Sequence, residues 1–157
     1  MSLDPPQGGK WSSDGLHLGI VCARYNEVMT DALLAKVTAV IKDAGEPERL
    51  VVERVPGSHE VPVAMSLMLG AESFDCLVGL GVVIKGSTSH HHLVAESAGQ
   101  AMQQLAVECS TPIINGIIVT DSIEDAEARV TGSLDRGLEF GEAALHMAEL
   151  KRKWTKN

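Results

Sequence analysis

The segment IKGSTSH (84–90) places a glycine, three hydroxyls and an imidazole within seven residues. Gly86 frees the backbone, Ser87, Thr88 and Ser89 offer hydroxyls, and the run that follows has helical periodicity. A helix N-terminus presents unpaired N–H groups and a partial positive charge, so a phosphate can sit here. An ordinary Ser/Thr helix cap is the competing explanation. The segment does not match GxxxxGK[ST] and so does not point to a nucleoside triphosphate. His90, His91 and His92 stand in a row. Consecutive helical residues point in different directions and cannot ligate one metal together, and no HExxH accompanies them, so no metal is expected. A histidine in a loop is more often a surface or capping residue, but one beside a phosphate site is suited to carry protons near neutral pH.

Three further segments carry polar or aromatic groups worth weighing. In VPGSHEVP (55–62) two prolines and a glycine force a sharp turn, and Glu60 opens the next helix. Its carboxylate either stabilises that helix end or, with backbone groups at Ser58 and His59, hydrogen-bonds a polyol or pyrimidine. ARYN (23–26) holds the chain's single tyrosine, Tyr25, whose ring can stack on a flat heterocycle or simply pack. Arg129 in SIEDAEAR has the shape for bidentate phosphate binding, yet Asp125 four residues earlier offers an ion pair.

Something must hold these segments together. From Leu16 the chain alternates apolar β-rich runs with helical ones, and the strands are expected at 16–22, 50–55, 76–83 and 112–119. Helices are expected at 27–44, capped by Asn26 and stopped by Gly45, then at 60–69, 91–109, near 122–130, and at 138–152. That order argues for a three-layer α/β/α sandwich around a four-stranded parallel sheet, because right-handed crossovers place helices on both faces. Ligands in such sheets bind outside the carboxyl ends of the strands, which points to 23–26, 56–60, 84–90 and 115–121. Residues 1–15, rich in Pro, Gly and Ser, read as an arm ahead of a single domain over 16–157. Trp11 within the arm is costly to leave in water and is expected to lie against something, a neighbouring subunit being one choice.

The bulk composition limits the partners. With 13 Lys and Arg against 21 Asp and Glu, a formal charge of −8 repels nucleic acid and anionic membrane surfaces. No apolar run reaches the ~18 residues of a membrane span, and no basic-then-apolar leader opens the chain, which together suggest the cytoplasm. Cys22, Cys76 and Cys109 are widely spaced and odd in number, and are expected to be buried reduced thiols. Aromatics make up 3% of residues, so the core must be built of Val, Ile, Leu, Ala and Met.

Taken in order, ARYN, VPGSHEVP, GVVIKGSTSHHHLV, PIINGIIVTDSIEDAEAR and GEAALHMAEL resemble the 6,7-dimethyl-8-ribityllumazine synthase family over roughly residues 16–152. The resemblance implies a flavodoxin-like fold of lumazine synthase type. It implies a transferase of riboflavin biosynthesis that condenses 5-amino-6-(D-ribitylamino)uracil with 3,4-dihydroxy-2-butanone 4-phosphate, without a cofactor. It further implies that Tyr25 stacks on the pyrimidine and that Ser58, His59 and Glu60 hold the ribityl chain. Val82, Val83 and Ile84 would meet the ring through their backbone, Ser87 and Thr88 would hold the phosphate, and His90 would move protons. Asn115 and Arg129 would come from the adjacent subunit of a pentamer. Some members pack their pentamers into an icosahedral shell of about sixty subunits. Between Arg129 and Met147 the chain lacks the insertion found in members that stop at the pentamer, which permits a shell.

The chain departs from the family pattern at several of these positions. Family members usually carry a bulky aromatic at the position of His59, often a Phe at that of Asn115, and an aromatic followed by an acid where His91 and His92 stand. Losing that acid removes a partner that could orient His90. Two rival readings follow: a shell-forming scaffold paralogue with a weakened site, or an archaeal-type riboflavin synthase on the same fold. His90, the hydroxyl loop and Arg129 argue against the first, and the phosphate set, Ser87, Thr88 and Arg129, against the second, which handles no phosphate.

Overall fold

In the computed structural model, residues 8–87 and 90–155 are described. The strands are β1 (His17–Ala23), β2 (Arg49–Val55), β3 (Cys76–Ile84) and β4 (Ile113–Thr120). The helices are α1 (Glu27–Asp43), α2 (Val61–Ala71), α3 (His90–Glu108), α4 (Ile123–Val130) and α5 (Arg136–Thr155), and a 3₁₀ turn over Ser58–Glu60 leads into α2. All four strands run parallel in the order β2-β1-β3-β4.

The alternation of side chains along the strands divides the core into two layers. Leu18, Ile20 and Cys22 of β1 and Cys76, Val78, Leu80 and Val82 of β3 face Leu33, Val37 and Ile41 of α1 and Phe140, Ala144 and Leu145 of α5. The intervening residues, Val21, Ala23 and Leu77, face Val61 and Met65 of α2 and Met102 of α3. The central strands are therefore covered on both faces, as their unbroken apolar runs require. β2 and β4 are edge strands and keep exposed residues.

The expected elements are all present, with ends that coincide or differ by one to three residues. The last helix begins at Arg136 and runs to Thr155, longer than 138–152. Asn26 does not cap α1: it takes the left-handed conformation and makes no side-chain bond to the helix. Cys22 and Cys76 are buried, and burial pushes both thiols up, whereas Cys109, just past α3, is exposed rather than buried.

Residues 8–15 of the arm lie against their own chain. The Trp11 ring stacks on His146 of α5 with centroids 4.1 Å apart. Ser13 N donates to the Ala44 carbonyl at 3.2 Å, and Gly15 N to that of Glu46 at 2.9 Å. Glu46 N in turn donates to Asp14 Oδ1 at 2.7 Å, which holds that carboxyl below its ordinary range.

The amino ends of the strands are tied to α5 through Asp75. Its carboxylate accepts His17 N at 2.7 Å, Arg152 Nε at 2.9 Å and Arg152 Nη2 at 2.8 Å. Lys151 Nζ, one residue earlier, donates to the Phe74 carbonyl and Thr111 Oγ1 at 2.6 and 2.8 Å. Asp75→Ala strands His17 N and the Arg152 guanidinium and is expected to lower stability by about 2 kcal/mol. Asp75→Asn, which keeps an acceptor, should lose less. Urea unfolding followed by circular dichroism checks both, and an unchanged midpoint in Asp75→Ala would show that the carboxylate fork contributes nothing.

Candidate functional site

The sheet parts at its carboxyl end. The β1–β3 ladder stops at Cys22↔Leu80, while β1 continues beside β2 to Ala23↔Val55 and β3 beside β4 to Ile84↔Thr120. At this point the following helices also leave for opposite faces, α1 for one and α3 for the other. Such a switch in strand order is where open parallel sheets present a crevice. Here the crevice has a volume of about 440 Å³.

Three of the four strand ends highlighted by the sequence meet there. Tyr25 and Asn26 come from the β1–α1 connection, Gly57, Ser58, His59 and Glu60 from the turn after β2, and Val82, Val83, Ile84, Gly86 and His90 from the end of β3 and the start of α3. His91 and Val94 complete the wall.

The turn after β2 is held by its own polar groups. Gly57 N donates to Glu60 Oε2 at 2.9 Å and Glu60 N returns a bond to the Gly57 carbonyl at 3.2 Å. The other Glu60 oxygen stands 4.0 Å from His59 Nδ1, an exposed imidazole. The Pro56 carbonyl accepts both Arg24 N and Tyr25 N at 3.2 Å, which joins this turn to the β1–α1 connection. The exposed Tyr25 ring lies over Gly57, with Cδ2 3.3 Å from where a Gly57 Cβ would stand. Ser58 is buried and its hydroxyl lies against Gly81 of β3 so closely that a Cβ there would collide with it.

The histidine run separates as helical geometry demands. His90 is exposed on the crevice, His91 is buried in its wall, and His92 is exposed outside it, its ring centroid 3.9 Å from that of His91. Among the described residues no group of three or more His, Cys, Asp or Glu is placed to hold a metal ion. Ser87 is exposed in the loop between β3 and α3. Thr88 and Ser89 lie outside the described residues.

Two candidates stand elsewhere. Asn115 is exposed in the middle of edge strand β4, opposite Gly79, with its Oδ1 accepting Ile117 N at 3.1 Å. Arg129 of α4 donates to the Asp125 carbonyl at 2.8 Å and pairs with its carboxylate at 3.6 Å. Neither lines the crevice of its own chain. Sequence reasoning missed two residues. Asn26 has the composition of a helix cap, but Asn is also, after glycine, among the residues that best tolerate a left-handed backbone. Nothing in the sequence marks His91 as the member of its run that turns inward.

The arrangement can grip a flat heterocycle between an aromatic ring and strand-end backbone, and can hydrogen-bond a polyol at the turn. His90 stands where it can exchange a proton with whatever lies between them.

A family model described as 6,7-dimethyl-8-ribityllumazine synthase matches residues 15–152. A 6,7-dimethyl-8-ribityllumazine synthase of Acidovorax sp. (strain JS42) is 38% identical over 148 residues, 94% of each chain. The protein of that name from Xylella fastidiosa (strain M12) is 36% identical over 88% of this chain and 92% of its own. The one from Aquifex aeolicus (strain VF5) is 33% identical over 90% and 94%.

The Ser58–Gly81 contact makes a local test. Gly81→Ala is expected to cost about 1–3 kcal/mol by overpacking against the hydroxyl. Adding Ser58→Ala should recover part of that loss, because the colliding oxygen is gone. Thermal midpoints of the two single variants and the double variant measure the coupling, and strictly additive losses would show that the two residues do not constrain each other.

Proposed function

Because the chain belongs to the 6,7-dimethyl-8-ribityllumazine synthase family, a family of transferases in riboflavin biosynthesis, we propose that the crevice between β1 and β3 is where it condenses 5-amino-6-(D-ribitylamino)uracil with 3,4-dihydroxy-2-butanone 4-phosphate. The observation that carries this reading is the meeting of Tyr25, the Ser58–Glu60 turn, the end of β3 and His90 in one crevice at the switch in strand order. Tyr25 stacks on the pyrimidine, whose edge meets the backbone of Val82, Val83 and Ile84. Ser58, His59 and Glu60 hold the ribityl chain, and Ser87 and Thr88 hold the phosphate.

The chemistry asks little of the protein beyond alignment and proton transfer. The 5-amino group attacks the ketone, and imine formation releases one water. Phosphate then leaves, and the ribitylamino nitrogen closes the second ring with loss of another water. The amine is already nucleophilic, so holding the two substrates together lowers the entropic part of the barrier, while His90 accepts and returns protons. No cofactor is required by these steps. Neither the scaffold reading nor the riboflavin synthase reading is favoured by the names of the relatives.

Arg129 and Asn115 enter the proposal through a neighbour. Both are absent from the crevice of their own chain and stand exposed or half-buried on β4 and α4, which supports their delivery to the crevice of an adjacent subunit in a ring. We take that ring to be a pentamer, alone or within an icosahedral capsid. Among the described residues no helix is long and apolar enough to cross a membrane, and a cytoplasmic location is part of the same proposal.

Assembled protein given both substrates should form lumazine and release phosphate in matched amounts, with His90→Ala slower by up to about 10²-fold. Product no faster than the spontaneous reaction would sink the reading. His90→Ala and Arg129→Ala chains, dissociated, mixed equally and reassembled, should regain roughly a quarter of the wild-type sites, since one interface in four pairs an intact histidine with an intact arginine. No recovery would place Arg129 outside the shared site.

A further inference from the structure

In the connection between β1 and α1, the polar side chain of Asn26 serves neither element. Asn26 is left-handed, at φ 57° and ψ 51°, in the position of a helix cap, yet its side chain makes no capping bond. Its carbonyl already accepts Met29 N and Thr30 N at 2.9 and 3.0 Å. Its amide Nδ2 instead crosses the crevice and donates to the Val82 carbonyl at 2.7 Å.

Val82 lies two residues beyond Leu80, the last residue of β3 that pairs with β1. A carbonyl there has lost its strand partner on that side and, being part-buried, needs another donor. The amide supplies it across a gap that the backbone no longer spans. One bond therefore links the chain segment bearing Tyr25 to the strand end formed by Val82, Val83 and Ile84. Arg24 N and Tyr25 N are meanwhile bonded to the Pro56 carbonyl, so this segment is fixed on its other side as well.

We propose that Asn26 is a positioning residue: its amide sets the distance between the Tyr25 ring and the end of β3, and so the width of the slot that receives the pyrimidine. This rests on the reading of the crevice given above. A slot formed by a ring on one side and strand-end backbone on the other must match the thickness of a planar heterocycle, and a displacement of about 1 Å can cost about 10²-fold in rate. The acceptor of the amide is the Val82 carbonyl at the pyrimidine end of the crevice, so its loss is expected to act on the aminopyrimidine. The left-handed backbone explains why the residue is Asn: Gln, with the same amide, is less tolerant of that conformation, and Gly carries no side-chain donor.

The test is steady-state kinetics of the assembled protein with Asn26→Gly and Asn26→Asp, varying each substrate in turn. Gly keeps the left-handed backbone and removes the amide, and Asp keeps the shape but sets an oxygen against the Val82 carbonyl. Asn26→Gly should raise KM for the aminopyrimidine about tenfold while KM for the ketone phosphate stays within about twofold, and Asn26→Asp should raise the first further. A wild-type KM for the aminopyrimidine in either variant overturns the proposal. So do equal rises for both substrates accompanied by loss of assembly, which would mark a structural role alone. An unsubstituted protein that makes no product above the spontaneous rate fails the reading of the crevice, and this proposal with it; an active one with indifferent variants fails the proposal alone.

Discussion

The site depends on a break in one hydrogen-bond ladder. β1 and β3 pair as far as Cys22 and Leu80 and then separate, while each stays bonded to its outer neighbour. Backbone groups freed inside a protein must find partners, so the space between the strand ends cannot simply be left open. The chain meets this demand with an amide from Asn26, with two N–H groups on the Pro56 carbonyl, and with the Gly57–Glu60 turn that closes on itself. The groups available to a ligand are those left over once these bonds are made: an aromatic ring, a serine seated on a glycine, a half-committed carboxylate and an imidazole.

The frame that holds this break is made of small and branched side chains. Gly79 lets Met102, Val61 and Met65 close directly on β3, and Gly81 does the same for Ser58, so α2, α3 and the turn approach the strand more nearly than a side chain would permit. Two buried phenylalanines, Phe74 and Phe140, serve one core layer each, and aliphatic residues fill the remainder. Groups borne on strand ends in such a packed sheet have little freedom to drift, which suits a reaction whose main requirement is alignment.

The sequence was legible where burial imposes a pattern. β1 and β3 could be read because strands covered on both faces must be apolar throughout, and the helices because their inner faces recur at helical spacing. The strand ends could be read as ligand-binding because the order of elements alone sets where a parallel sheet opens. What could not be read is the direction of a single polar side chain. Asn26 satisfies the composition of a helix cap and of a left-handed strut equally, and only the position of Val82 decides between them. Cys109 escaped for a similar reason: it follows a helical run, but the last turn of α3 has already left the core. Asn115 and Arg129 are each placed correctly on their own elements by local pattern, yet no local pattern states what a surface meets.

Glu60 shows how the site divides labour among its polar groups. A carboxylate in a crevice beside a histidine could be taken for the proton carrier, but one of its oxygens already accepts the Gly57 N–H and so holds the turn that seats Ser58 against Gly81. Protonating it would weaken the very bond that shapes the pocket. An acceptor tied in this way is better fitted to orient a hydroxyl than to exchange protons during turnover. His90, at the mouth of α3 and exposed to the crevice, carries no such structural duty in the contacts described, so proton transfer can fall to it without disturbing the turn. Under the proposed function, separating the group that shapes the site from the one assigned the proton would let the crevice keep one geometry through both dehydrations.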